Sequence, residues 1–197
     1  MIRKIGLISS IKETYNDQFE FSYDIKINKF IRSIYRKVKI SNLDFNSSID
    51  KDLNLIIICG GNDLPLIKKN KSNTIRYKLT NNLFKQALKN KIPLIGICYG
   101  AQFLAHKFKS NFKIKLNNIG NHKVFLRNEK KFINVNSYHN TIIDKLGRDL
   151  IANGIAKDKS IEYFSHRTKQ IIGIQWHPER YKSFKKIDIK IIKSLCN

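Results

Sequence analysis

Two short apolar runs constrain this chain more than any other feature. Residues 53–59 read LNLIIIC and residues 92–98 read IPLIGIC. The first ends at Gly60 and Gly61, and the second runs straight into residues 99–106, which have a helical pattern. A strand that is apolar at consecutive positions is buried on both faces. That pattern belongs to the central strands of a parallel sheet covered by helices on each side.

The remaining segments fit that frame. Residues 5–8, within KIGLIS, read as another buried strand, and 37–40 as a further one. Residues 17–36 place Phe21, Ile25, Ile27, Phe30, Ile31 and Ile34 at helical spacing, which predicts a helix there. Residues 62–73 are polar and contain a proline, so they read as a loop. Leu83, Phe84, Ala87 and Leu88 predict a helix over 79–89. Within 121–139, VFLRN and FINVNSYH read as strands joined by a charged turn at 128–131. SIEYFSH (160–166) and QIIGIQWHP (170–178) read as a hairpin pair turned at 167–169, and 184–195 is helical in pattern. Strands alternating with helices predict a three-layer α/β/α domain around a mostly parallel central sheet. The chain has 197 residues, enough for a real core, and shows no repeat or linker. A single domain over 1–197 is expected.

Lysine and arginine number 38 against 15 aspartates and glutamates, a formal net charge of +23. A solvated basic surface, a polyanionic substrate drawn by the field, and a nucleic-acid footprint would each account for it. The basic residues sit in separate small groups: Lys68, Lys69 and Lys71; Lys89 and Lys91; Lys107 and Lys109; Lys185 and Lys186. There is no basic arm, and aromatics are not interleaved with arginine. That spread favours a solvated surface, leaves a polyanionic substrate open, and makes nucleic acid the weakest reading. Cys59, Cys98 and Cys196 are odd in number and lack metal-ligand spacing, which fits a reducing compartment. The opening MIRKIGLISSIKE is too polar for a signal peptide, and no stretch approaches the roughly 20 apolar residues that span a bilayer. A cytoplasmic protein without a membrane partner is expected.

The chemistry concentrates in three segments. In Gly96-Ile97-Cys98-Tyr99-Gly100 a thiol stands between glycines where a strand turns into a helix. A nucleophile there must project from a sharp turn, and side chains two places before and after it would crowd the bend. The helix N-terminus beyond it lowers a thiol pKa. In Gln175-Trp176-His177-Pro178-Glu179 the imidazole and carboxylate lie two apart, so extended chain points them the same way. Such a carboxylate holds the histidine's tautomer while the histidine serves as base and acid. Gly60-Gly61-Asn62-Asp63 follows an apolar strand, and a glycine turn offers backbone N–H groups to an oxyanion. Singly, each has a plainer explanation: a buried core cysteine, a solvated turn, an ordinary Gly-Gly bend. Cys59 reads as core, Cys196 as incidental and His106 as a helix-surface residue, while His122 and His166 belong to no motif.

Together, in this order, the segments resemble the class I (triad) glutamine amidotransferases. GICYGAQ and QWHPE are the specific part, and the match runs from KIGLIS through the last helix. The resemblance implies a flavodoxin-like fold with Cys98 as nucleophile, His177 as base and Glu179 as its orienter. It implies an oxyanion hole from the N–H groups of Gly61 and Tyr99. It also implies that Gln102, on the first helical turn, and Asn62, beside the glycine turn, contact substrate. No metal and no organic cofactor are implied. Ser137, Tyr138 and His139, in NSYHN, resemble the loop that borders the glutamyl pocket in the γ-glutamyl hydrolase branch, typified by γ-glutamyl-γ-aminobutyrate hydrolase. The plainer reading of His139 is an exposed strand-end histidine. GGNDLP, NSYHN, WHPER and the short length are closer still to the small γ-glutamyl-CDP-amidate hydrolases, which serve phosphoramidate decoration of bacterial surface polysaccharide.

The implied activity is hydrolysis of a γ-glutamyl amide, through a glutamyl thioester, on a small-molecule substrate. A nucleotide-linked substrate would suit the positive charge. The alternative is a glutaminase subunit that supplies ammonia to a partner synthase. Its relatives often carry Gly-Pro-Gly or Gly-Gly-Pro where this chain has GGNDLP. A non-catalytic module of the same fold would not need Cys98, His177 and Glu179 together. A basic nucleic-acid binder has only the charge in its favour. A partner synthase and a homo-oligomer both stay open. Loops at 9–20 and 62–76 are expected to build the leaving-group side of the pocket.

Overall fold

The computed structural model describes residues 3–49, 51–116 and 118–195. The chain opens with β1 (Arg3–Ile8), the hairpin strands β2 (Ser10–Tyr15) and β3 (Gln18–Ser22), α1 (Lys26–Ile34) and β4 (Val38–Asn42). Next come β5 (Leu55–Ile58), α2 (Lys71–Lys89), β6 (Leu94–Ile97) and α3 (Tyr99–Lys107). An antiparallel series comes after them: β7 (Asn111–Ile114), β8 (Gly120–Leu126), β9 (Lys131–Ser137), β10 (Thr141–Lys145), β11 (Leu150–Ala156) and β12 (Ile161–His166). β13 (Ile171–Ile174), a 3-10 turn at Pro178–Arg180 and α4 (Lys186–Lys193) close the described chain.

Five strands form the parallel centre, in the order β4-β1-β5-β6-β13. From β13 the same sheet continues antiparallel through β12, β11, β8 and β9, with β10 beside β12 and β7 beside β10. The alternation inside the apolar runs explains the layers. Leu55 and Ile57 face one side, with Ile5, Leu7, Ile95 and Ile97, and meet Ile27, Phe30 and Ile31 of α1 and Ile191 and Ile192 of α4. Ile56 and Ile58 face the other, with Ile8 and Leu94, and meet Leu79, Leu83 and Phe84 of α2 and Phe103 and Leu104 of α3. All are buried, and removing each from water contributes about 2 kcal/mol. The result is the expected three-layer α/β/α arrangement.

Two helix boundaries differ from the sequence reading. Residues 17–25 are not helical: the β2–β3 hairpin occupies this stretch, and α1 starts at Lys26. Phe21 and Ile25 mimic helical spacing but are 45% and 69% exposed, so they report no buried face. α2 begins eight residues before 79, at Lys71, where the Asn70 side chain caps it by accepting from the Asn73 N–H at 2.7 Å. Its first turns carry no apolar signal because the residues they bury are polar: Asn73, Arg76 and Thr80. Strands β2, β3, β7, β10 and β11 are also absent from the sequence reading. β7 is mostly exposed, and β11 is interrupted by register shifts around Gly154. No helix among the described residues is long and apolar enough to cross a membrane.

The registers Ile8↔Ile58, Ile58↔Gly96 and Ile97↔Ile174 bring the carboxyl ends of β1, β5, β6 and β13 to one edge. Open α/β sheets bind ligands at that edge. These strands lead there into Ser9, Cys59-Gly60-Gly61, Cys98 and Gln175-Trp176-His177.

Candidate active site

Cys98 joins β6 to α3 in a conformation that side-chain-bearing residues rarely adopt, φ 51° and ψ −104°. Its N–H is tied to the Ile174 carbonyl of β13 at 2.8 Å, and its carbonyl accepts from the Gln102 N–H at 3.0 Å. The flanking glycines are required by space. A Cβ on Gly96 would stand 2.3 Å from the Gly100 carbonyl carbon, and one on Gly100 would stand 2.1 Å from the Ile58 carbonyl oxygen. The bend therefore packs backbone against backbone on both sides of the thiol.

His177 lies just beyond the end of β13, after the buried Gln175 and Trp176, and is itself 2% exposed. Its Nδ1 donates to Glu179 Oε1 at 2.6 Å. Asn136 clamps its backbone from both sides, accepting the His177 N–H at 2.8 Å and donating to the His177 carbonyl at 2.9 Å. With Nδ1 engaged, Nε2 is the nitrogen left for Cys98. Burial pushes the Cys98 thiol up, but the charge and hydrogen bond of His177 outweigh it, so the thiol pKa is lowered. Burial likewise opposes the imidazolium, yet Cys98 and Glu179 lift His177 to about 9. The two shifts run in the directions that favour a thiolate–imidazolium pair, and any proton they share belongs to the pair. Gly60 packs against it: a Cβ there would stand 2.5 Å from His177 Cε1.

The other anticipated residues divide into groups. Gly61 (φ +84°) lies with Gly60, His177 and Glu179 around a cavity of ≈ 290 Å³. Tyr99 is the first residue of α3, so its N–H has no partner within the helix. Tyr138 is half exposed and sets its ring edge-on to His177, with centroids 5.4 Å apart and Arg180 over the tyrosine. His139 is buried, not an exposed strand-end residue. Its Nδ1 meets the Thr141 carbonyl at 3.0 Å and its Nε2 lies 3.8 Å from Glu162. Burial opposes its charge, but Glu162 and Cys98 raise its pKa, which places it within electrostatic reach of Cys98. Gln102 and Ser137 are buried and engaged, Gln102 with the Thr141 carbonyl (3.2 Å) and Ser137 with Asn118 (3.4 Å). The Asn62 side chain is engaged within the protein. Its amide latches the turn to β2, accepting from the Ile11 N–H and donating to the Ile11 carbonyl, both at 2.9 Å.

Three participants lie outside the sequence reading. Asn136 had a signal, since it opens the NSYHN segment. Glu162 is fully buried between His139 and His122, the latter at 3.6 Å. Arg76 is fully buried beneath the Gly60-Gly61 turn. Glu162 had a signal in the run Ser160-Ile161-Glu162-Tyr163-Phe164, which resembles the γ-glutamyl hydrolase branch, whereas Arg76 has no local pattern that sets it apart from the many charged residues of this chain. Cys196 lies outside the described residues. Among the described residues, no group of three or more histidine, cysteine or acidic side chains is placed to hold a metal.

A cysteine at a strained bend on a helix N-terminus, a buried histidine–carboxylate pair, and a glycine turn at the carboxyl edge of a parallel sheet are the parts that cysteine acyl transfer requires. The chain matches the family model described as glutamine amidotransferase class-I over residues 18–190, and it belongs to that family. A curated relative, the gamma-glutamyl-CDP-amidate hydrolase of Campylobacter jejuni, is 44% identical over 134 residues. That match covers 68% of this chain and 66% of the relative, a little under two thirds of the relative's length. Two solved structures share the fold. A GMP synthase subunit from Thermoplasma acidophilum has a TM-score of 0.76 at 20% identity, covering 100% of this chain and 93% of that one. A glutamine amidotransferase from Thermotoga maritima has a TM-score of 0.69 at 18% identity, covering 98% and 83%.

Proposed function

We propose that this protein is a cytoplasmic cysteine hydrolase that cleaves a γ-glutamyl amide bond through a glutamyl thioester. We further propose that the amide is γ-glutamyl-CDP-amidate, in phosphoramidate decoration of bacterial surface polysaccharide. The buried line Cys98–His177–Glu179 carries the first reading. The Campylobacter relative supports the second, as does the cavity beside His177, which Lys12 and Arg180 line in a way that suits a pyrophosphate. Asp24 takes up part of the Arg180 charge at 3.3 Å, so Lys12 is the freer cation.

In this reading the Cys98 thiolate attacks the γ-carbonyl carbon, and the π pair moves onto oxygen. The N–H groups of Gly61 and Tyr99 hold that oxyanion, each contributing about 3 kcal/mol. The C–N bond breaks as His177 passes its proton to the leaving nitrogen. His177, now neutral, takes a proton from water, and the hydroxide attacks the thioester. Glutamate leaves and the thiolate is restored. Glu179 keeps Nδ1 protonated throughout. Tyr138 and His139 border the glutamyl group.

Family membership supports a second reading, a glutaminase subunit that depends on a partner synthase. Glutamate release separates the two. The substrates are glutamine, γ-glutamyl-γ-aminobutyrate, a γ-glutamyl peptide and γ-glutamyl-CDP-amidate, each with wild type and Cys98→Ala. Fast release from γ-glutamyl-CDP-amidate alone, lost by at least about 10⁴-fold in Cys98→Ala, is expected. Slow release from every compound would move the assignment to the glutaminase subunit. Undiminished release by Cys98→Ala would end both readings.

A further inference from the structure

The guanidinium of Arg76 sits where a chain has good reason not to put one. The residue is fully buried on α2, and no carboxylate pairs with it among the described residues. Its donors go to backbone instead. Nη2 donates to the Cys59 carbonyl at 2.6 Å and Nη1 to the Gly60 carbonyl at 3.1 Å, with Asn62 Oδ1 at 3.2 Å. The guanidinium also lies over the Tyr99 ring, 4.2 Å from its centroid. A buried cation without a carboxylate partner is costly.

What the fork does is fix two consecutive peptides. Every peptide described is trans, so each carbonyl points opposite to the N–H of the next residue. Holding the Gly60 oxygen on the α2 side turns the Gly61 N–H the other way, away from α2, and Gly61 lines the cavity together with Gly60 and His177. Holding the Cys59 oxygen does the same for the Gly60 N–H. A Gly-Gly turn has wide backbone freedom and would otherwise sample other orientations. The positive charge also polarises both peptides, which strengthens their N–H groups as donors.

We propose that Arg76 is a positioning residue for acyl transfer: its guanidinium fork aims the Gly61 N–H at the oxyanion. This rests on the reading of Gly61 as an oxyanion donor. Arg76 also lies within electrostatic reach of Cys98, so aiming the turn must be separated from merely supporting the thiolate.

Two reactions of Cys98 make that separation without any γ-glutamyl substrate. In acylation by 4-nitrophenyl acetate, sulfur attacks a carbonyl, an oxyanion forms, and 4-nitrophenolate leaves. In alkylation by iodoacetamide, sulfur displaces iodide at carbon and no oxyanion forms. Cys98→Ala supplies the background from the other thiols and the lysines. In Arg76→Met, acylation is expected to slow by about 10²–10³-fold, the loss typical of one missing oxyanion donor, while alkylation changes less than about threefold. Arg76→Lys keeps the charge but not the fork, and it should remain slow in acylation and normal in alkylation. It also carries the test if Arg76→Met does not fold. Equal losses in both reactions would overturn the proposal in favour of a charge effect on the thiolate, as would normal acylation in either variant. A wild-type Cys98 no more reactive than a free thiol would instead sink the nucleophile assignment itself, an outcome visible before any Arg76 variant is made.

Discussion

Cys59 and Cys98 each come one residue after a strand of the parallel centre, on neighbouring strands, and both are buried, 6% and 8% exposed. Burial acts on both thiols in the same direction. At Cys59 it prevails and pushes the pKa up to about 12. At Cys98 the charge and hydrogen bond of His177 reverse it. The backbone differs as well: Cys98 sits at positive φ against the first turn of α3, whereas Cys59 continues an ordinary strand into the glycine turn. What separates the two thiols is the partner and the bend, not exposure.

The widest test of that contrast is alkylation, followed peptide by peptide with mass spectrometry. At pH 7, Cys98 is expected to react with iodoacetamide on the order of 10³-fold faster than Cys59 in the folded protein. The pH profiles should then part. Alkylation of Cys98 should persist as pH falls through the usual thiol range near 8.5, because its thiolate is stabilised. Hydrolysis should fall as pH rises past about 9, where His177 loses the proton it gives to the leaving nitrogen, while alkylation does not fall there. A single profile for both reactions would break the picture of a thiolate–imidazolium pair.

Smaller effects sharpen it. Glu179→Gln removes the carboxylate 2.6 Å from His177 and should lower kcat by about 10³-fold. It should also move the alkaline limb of hydrolysis to lower pH, since Glu179 helps raise the histidine. Gly60→Ala places a methyl on the imidazole's Cε1 and must displace the ring. A shift of that kind is expected to cost about 10²-fold in kcat, with thermal stability changed far less than kcat. Normal turnover in Gly60→Ala would mean that His177 has room the structure does not show.

What could be read from residues alone respects a physical divide. The central strands and the nucleophile bend were legible, because continuous apolar runs and glycines flanking a thiol are local patterns. The His177–Glu179 pair was legible from its spacing, although a 3-10 turn at Pro178–Arg180, and not the extended chain expected, brings the carboxylate to Nδ1. The β2–β3 hairpin was not, since Phe21 and Ile25 imitate a buried helical face while standing in solvent. Arg76 was not, because what distinguishes it is burial without a carboxylate partner, a property of tertiary packing. Its side chain faces inward on the first turns of α2, whose sequence looks solvated, and in a chain with 38 lysines and arginines one inward arginine leaves no trace.

The smallest effect is expected from Cys59→Ala, and it bears directly on the contrast between the two thiols. The Cys59 backbone carbonyl is held by Arg76, and an alanine leaves that hydrogen bond intact. What is lost is one sulfur packed in the core beneath α1 and α4, a single-atom deletion. The cost in stability should be about 1 kcal/mol, read from a denaturant midpoint. Because the thiol is held protonated, its removal should alter kcat by less than about threefold. A larger loss of turnover with the same small loss of stability would give Cys59 a chemical part. The two thiols would then have to be treated as one site instead of a reactive and an inert neighbour.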